Sequence, residues 1–225
     1  MTWSEPFTST FTVVFPQGRD CVAWGNSTSR PNAIDVTGQR NTFSHCVQAN
    51  RDANLQGSNN RFNETVRYVR NLNAAPSNVL VNGSLQVTAS PYPYLFRLED
   101  YQPGGRAAQE AAARGEYWTH TNNAVLTAAT LVRGLHYVNG HATVDVTGVA
   151  RNVTIVAKGA LTLTATSSTL DAYADGLLLG SWTGGADRLN LRGDRSRFVG
   201  ALFAHQSETQ VATTNSLLRL SLIHI

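Results

Sequence analysis

Val36-Thr37-Gly38-Gln39-Arg40-Asn41-Thr42-Phe43 is answered by Leu55-Gln56-Gly57-Ser58-Asn59-Asn60-Arg61-Phe62, a step of 19 residues. The apolar, glycine, asparagine and phenylalanine positions coincide, and at the same step Val47 maps onto Val66 and Ala49 onto Tyr68. A second echo lies downstream, where Ser196-Arg197-Phe198 is followed by Asn215-Ser216-Leu217. A step of this size is too short for a pair of helices and suits one turn of a β-solenoid.

Within each step a smaller unit recurs. Two apolar residues alternate, and a third follows seven positions beyond the second: Ile34, Val36, Phe43; Ala53, Leu55, Phe62; Leu161, Leu163, Leu170; Leu189, Leu191, Phe198. The alternating pair reads as a half-buried strand. The polar stretch between holds Gly, Ser, Asn or Asp, which tolerate the left-handed backbone of a tight turn. Coils stacked about 4.8 Å apart would then form ladders: Asn41 over Asn60 at a turn, with Phe43 over Phe62 and Phe198 over Leu217 in the core. The predicted fold is all-β, a right-handed parallel β-helix of roughly 19-residue coils with one short helical insertion.

The predicted organisation is an irregular segment over residues 1–30, with a strand-like Phe11-Thr12-Val13-Val14-Phe15, and one β-helix domain over 31–219. An insertion at 91–134 interrupts it. There Pro91-Tyr92-Pro93-Tyr94 breaks the strand rhythm, and Pro103-Gly104-Gly105 precedes an Ala-rich run from Arg106 to Arg114 that reads as a short helix stopped by Gly115. Such a helix is marginal alone and must pack on the solenoid. The strand pattern returns near Leu135. The last six residues, Leu220-Ser221-Leu222-Ile223-His224-Ile225, match a translated sequencing-library adapter, which marks 220–225 as an artefact and the chain as a metagenomic fragment. On that reading the repeat is still running at its last copy, which would leave an uncapped coil with unpaired, aggregation-prone edges.

The 225 residues are 42% hydrophobic and only 15% charged, with a net charge of +3. The polar surface is made of Thr, Asn, Ser and Gly, and Lys158 is the sole lysine. Nucleic-acid binding would need the arginines gathered on one face; they run scattered from Arg19 to Arg219, so no nucleic-acid partner is expected. No apolar run approaches the ~18 residues of a membrane span. Cys21 and Cys46 read either as one disulfide, stabilising by about 3 kcal/mol in an oxidising compartment, or as two unpaired buried thiols.

No catalytic, cofactor-binding or metal-binding residue is assigned. His136 and His141 are five apart, without the spacing that brings two ligands to one helix face; His136 reads as a surface histidine, and His45 and His120 have no partner nearby in sequence. Asp171 and Asp175 are four apart and would suit calcium or acid–base work, but Asp175-Gly176 is also an ordinary turn. Gly184-Gly185-Ala186-Asp187-Arg188 lacks the Lys-Ser/Thr of a phosphate loop. Thr162, Thr164 and Thr166 place three hydroxyls on one strand face without recurring at the coil step.

Several phrases together resemble a known family: Ser58-Asn59-Asn60-Arg61-Phe62, Gly134-Leu135-His136-Tyr137-Val138-Asn139-Gly140, Asn152-Val153-Thr154-Ile155-Val156-Ala157 with Gly159, Tyr173-Ala174-Asp175-Gly176-Leu177-Leu178-Leu179, and Asp100-Tyr101-Gln102-Pro103-Gly104-Gly105 with its Ala-rich helix. In this order, over roughly residues 31–219, they look like the β-helical extracellular region of bacterial Flp-type (tight-adherence) pilus-assembly TadE/TadG-like proteins. The resemblance implies a cell-surface or extracellular module with pilus or surface partners. It also implies a membrane-anchoring helix ahead of the repeats, which is absent here, and it supplies no catalytic residues. The expected function is therefore a non-enzymatic exported structural module. The alternatives are a carbohydrate-active β-helix enzyme, which needs carboxylates converging within ~5–9 Å, for which Asp145, Asp171, Asp175, Asp187 and Asp194 are the acids to map, and an ice- or surface-binding solenoid, which needs Thr at equivalent positions in every coil.

Overall fold

A computed structural model describes residues 21–25, 32–43, 46–49, 51–74, 79–87, 96–182, 188–205 and 208–224. The first block of strands is β1 (Cys21–Gly25), β2 (Asn32–Val36), β3 (Thr42–Phe43), β4 (Cys46–Ala49), β5 (Asp52–Leu55), β6 (Asn60–Tyr68), β7 (Leu72–Ala74) and β8 (Val79–Gln86). Helices α1 (Leu98–Tyr101) and α2 (Arg106–Ala112) follow. The second block is β9 (Tyr117–His120), β10 (Ala124–Thr127), β11 (Gly134–Val138), β12 (Ala142–Thr147), β13 (Ala150–Ala157), β14 (Leu161–Thr166), β15 (Thr169–Asp171), β16 (Leu177–Ser181), β17 (Arg188–Asp194), β18 (Arg197–Ala204), β19 (Glu208–Thr214) and β20 (Leu217–His224). Every pairing between these strands is parallel, and the strands form a β-solenoid of about eight turns. Twelve strands make a first sheet and eight a second.

Ladders form, among them the predicted Asn41–Asn60 and Phe43–Phe62 rungs, because residues of like chemistry meet at each step. Leu126, Val144, Leu163, Leu191, Val211, Val36 and Leu55 share one inward register position through successive strands of the second sheet, and all are buried. Each such side chain removed from water contributes roughly 1.5–3 kcal/mol, which no coil can gain alone. Phe43 stacks on Phe62 with ring centroids 4.5 Å apart and planes 5° from parallel.

The turn that leads from the second sheet to the first repeats in six coils. Gly148, Ser167, Arg195, Asn215, Arg40 and Asn59 all hold positive φ there, between 48° and 67°. The next residue points inward and carries the hydrogen bonds. Val149 N–H donates to Ser168 Oγ, Ser168 N–H to Ser196 Oγ, and Ser196 N–H to Ser216 Oγ. Asn41 N–H and Nδ2 both donate to Asn60 Oδ1 (3.1 and 3.0 Å). These serines and asparagines are buried, so the ladder satisfies backbone groups that the turn would otherwise strand away from water.

The coils do not stack in sequence order. β20, the last strand in sequence, lies in the middle of the stack. It pairs with β18 along its whole length; on its other side Leu217 and Leu218 pair with Thr42 and Phe43 of β3, and Leu222 and Ile223 pair with Ala23 and Trp24 of β1. In the second sheet β19 pairs with β2 through Thr209–Ile34, Gln210–Asp35 and Val211–Val36. The first block therefore sits on the end of the second, and β9–β10 and β7–β8 lie at opposite ends of the column. The last coil does not present the expected unpaired edge: β20 pairs with β18 through residue 224, and on its other side Leu217, Leu218, Leu222 and Ile223 have partners.

The helices pack outside the first sheet. Phe96, Tyr101, Ala107, Ala108 and Ala111 form a second apolar cluster with Leu135, Tyr137, Val156, Leu177, Ala201 and Phe203, which project from β11, β13, β16 and β18. Phe96 meets Phe203 edge-on at 5.7 Å. The alanines let the helix lie close to the strands, and Gly115, at φ 71°, ends the run. The strand pattern returns at Tyr117, ahead of the expected Leu135, because β9 and β10 already pair with β11 and β12. One ladder also shifts: Phe198 lies over Leu218, a step of 20, and Leu217 is 40% exposed.

Candidate functional site: a polar sheet face and a histidine-lined end

The carboxylates singled out from sequence do not converge. Asp171 accepts from Arg197 Nη1 at 3.1 and 3.2 Å. Asp175 sits in the expected turn, with φ 51° followed by Gly176 at 72°, and clasps the helices: Arg106 Nη2 donates to Asp175 Oδ2 at 2.7 Å and Tyr101 Oη at 3.1 Å. The turn is fixed from below by Thr154 Oγ1, which accepts from Ala174 N–H at 2.8 Å and donates to the Leu177 carbonyl. Burial, reinforced by the Asp175 charge, pushes the Tyr101 phenol well above its ordinary range, and the hydrogen bond to Asp175 holds Arg106 firmly protonated. This is a structural clasp in which each carboxylate has its own arginine.

Asp145 and Asp194 do share the outer face of the second sheet. They stand two strands and two residues apart in register, about 12 Å by ordinary strand spacing, which exceeds the separation of a glycosidase pair. Asp194 is paired with Arg195 at 3.0 Å. Asp187, His45, the Phe11–Phe15 stretch and the Gly184–Asp187 loop lie outside the described residues, as do the side chains of Arg188, Cys21 and Cys46. The backbone of β1 nevertheless sets Cys21 opposite Cys46. Among the described residues no group of three His, Cys, Asp or Glu side chains is placed to hold a metal, and no helix is long and apolar enough to cross a membrane.

The outer face of the second sheet is regular in backbone and mixed in chemistry. One register row reads Val125, Thr143, Thr162, Asn190, Gln210, Asp35, Asn54, Asn73, spanning about 34 Å at strand spacing. The next reads Thr127, Asp145, Thr164, Arg192, Ala212, and a third Thr147, Thr166, Asp194, Thr214. The threonines of β14 do recur at the coil step, as Thr143 and Thr147 of β12, which corrects the expectation that they would not; both pairs lie 19 residues apart in sequence. The recurrence stops at Asn190, Arg192 and Asp194. Neighbouring rungs bond along the axis, as where Asn54 Nδ2 donates to Asp35 Oδ1 at 2.7 Å.

The β9–β10 end carries the residues that sequence reasoning placed wrongly. His136 is 1% exposed, not a surface residue: alternation on β11 turns Leu135 and Tyr137 toward the helices and His136 into the solenoid. Its ring stacks on His120 (5.8 Å, 10°), with Trp118 above (6.3 Å, 28°). His136 Nε2 lies 2.9 Å from the Val132 carbonyl, so Nε2 carries the hydrogen. His136 Nδ1 and His120 Nε2 are buried without partners. Burial pulls both imidazoles below their ordinary pKa; for His136 the Val132 carbonyl opposes this and His120 adds to it. The signal in sequence was the shared alternation of Trp118, His120, His136 and Val138, visible only once β9 and β11 are aligned. No family model, curated protein or solved structure matches the chain.

Proposed function

We propose that the protein is a non-catalytic structural module, exported and displayed at a cell surface, with pilus or other surface components as its partners. The observation that carries this reading is the disposition of its polar groups. Among the described residues most buried ones serve the turn ladder and the clasp, while those on the outside of the second sheet form a long polar face without a pocket of converging reactive groups. A rigid column with an ordered polar side suits a spacer or docking surface. The tight-adherence pilus resemblance supports the same location.

The test is turnover on a panel of neutral and acidic polysaccharides, with and without calcium, followed by reducing ends and by the absorbance of unsaturated products. No product above the protein-free control is expected. Product formation that is lost in Asp145→Asn would overturn the reading in favour of the carbohydrate-active alternative. The ice-binding alternative draws on the Thr143–Thr162 and Thr147–Thr166 rungs, but the charges of Asp145, Arg192 and Asp194 break the array that a lattice of water would need.

A further inference from the structure

We propose that the β9–β10 end of the solenoid is closed by an acid-releasable cap, residues 128–133, whose latch is the His120–His136 pair. The geometry of the cap is specific. Leu131 plugs the end of the core and is fully buried. Two side chains beneath it hold consecutive carbonyls of the same loop: His136 Nε2 donates to Val132 at 2.9 Å and Trp118 Nε1 to Arg133 at 3.1 Å. The loop closes on itself through Leu131 N–H to the Thr127 carbonyl at 2.7 Å and Thr127 N–H to Thr130 Oγ1 at 2.8 Å. Outside, Arg133 pairs with Glu116 at 3.4 Å and lies over the Tyr173 ring at 5.8 Å.

The latch has no means of holding a proton. The second nitrogen of each ring, His136 Nδ1 and His120 Nε2, is buried against no acceptor. A proton on His136 would put a cation in the apolar end of the core, and one on the half-buried His120 would place its charge beside another imidazole 5.8 Å away. The remaining ionisable groups on the packed elements do not compensate. Glu116 Oε1 is engaged by Arg133 and its Oε2, buried without a partner, is hydrogen-bonded to neither ring, Tyr117 donates to the Tyr101 carbonyl, Tyr137 belongs to the helix-side cluster, and β13 offers Ile155 opposite His136. Opening the loop gives both rings to water, where they take protons at an ordinary pKa of about 6.5. Because the closed state disfavours the charged form, its stability is full above that value and falls as pH drops below it. For one histidine kept neutral when closed, the open population rises by up to about 30-fold between pH 7.5 and pH 5. The consequence is an end whose core strands become accessible in an acidic compartment, while the opposite end, without such a latch among its described residues, does not respond.

Amide hydrogen exchange on the whole chain tests this, with rates corrected for the intrinsic pH dependence of exchange. The protection of the Leu131 amide is expected to fall by about 3- to 30-fold from pH 7.5 to pH 5, while that of Leu163, deep in the column, stays level. In His136→Phe the fall should shrink, and in the double variant His120→Gln, His136→Phe it should drop below about two-fold. Should that variant misfold, His120→Gln serves, with a reduced fall expected, and ring-proton NMR of the unaltered protein provides an independent reading: His136 should begin to titrate only as the cap opens. Equal Leu131 protection at both pH values, a parallel loss at Leu163, or a His136 ring titrating normally under a closed cap would each overturn the proposal.

Discussion

Asn41→Ala removes the side chain on which the two strand blocks are joined. Asn41 Nδ2 donates to the Thr213 carbonyl and to Asn60 Oδ1, each at 3.0 Å, and Asn41 Oδ1 accepts from Thr213 Oγ1. After truncation Asn60 Oδ1 still receives the Asn41 backbone N–H, and the Thr213 carbonyl still receives Gln39 N–H. The Thr213 hydroxyl, in a residue that is fully buried, has nothing left. An unsatisfied buried hydroxyl costs about 1–3 kcal/mol, and each of the two other lost bonds about 0.5–1.5 kcal/mol. The expected total is about 4 kcal/mol. With a urea slope near 3 kcal/mol/M for a chain of this size, the midpoint should fall by about 1.3 M. Far-UV circular dichroism in urea measures it, with Asn73→Ala on the exposed face as a control that should move stability by no more than about 0.5 kcal/mol. Because nearest-neighbour coils carry the cooperativity, the weakened junction should also broaden the transition or split it. A midpoint shift no larger than the control's would refute the reasoning, since it would mean that the Asn41 rung bears no energy.

Other perturbations separate the parts of the structure. Gly38→Ala should be more damaging than Asn41→Ala, because a Cβ there would stand 2.1 Å from the Thr213 carbonyl oxygen and 2.3 Å from its nitrogen; a variant with unchanged thermal stability would show that the blocks are not in this contact. Tyr101→Ala should cost about 3–5 kcal/mol by emptying the helix-side cluster, whereas Asp175→Asn, which weakens a largely solvated ion pair, should cost about 1 kcal/mol or less; equal effects would contradict the division into packing and clasp. The backbone register that sets Cys21 opposite Cys46 on adjacent parallel strands places their Cα atoms within the range that a disulfide spans. Protein purified under oxidising conditions should therefore show no titratable thiol after denaturation, and two thiols would rule the bridge out.

What was legible in the sequence was whatever repeats between adjacent coils. The Asn41–Asn60 and Phe43–Phe62 rungs, and the Leu161–Leu189 and Leu163–Leu191 pairs, follow from alternation and turn chemistry alone, because the members of each pair hold the same place in two copies of one strand–turn–strand unit. The junction was not legible. It joins Asp35 to Gln210 and Arg40 to Asn215, residues with no shared period, and nothing in a repeat states whether coils stack in chain order. A one-residue change of step was enough to exchange Leu217 for Leu218 under Phe198. His136 was misplaced for a related reason: alternation gives two faces, but only the helices packed on Leu135 and Tyr137 decide which face is outside. For the candidate site, the Asp175-Gly176 turn was legible from its residue types and is present, while the His120–His136 stack depends on aligning β9, whose short run carries no repeat signature.

The order of the coils is the central feature of this fold. In a Cys21→Ser, Cys46→Ser background, Asp35→Cys and Gln210→Cys place one thiol on β2 and one on β19 at paired register positions, about 5 Å apart between Cα atoms. Mild oxidation of the native monomer should close this pair into an intramolecular disulfide, and spin labels at the same positions should give strong short-range dipolar broadening. Stacking in chain order would instead separate β2 from β19 by about seven strand spacings, near 34 Å; a native monomer that does not cross-link and whose labels report such a distance would contradict the account.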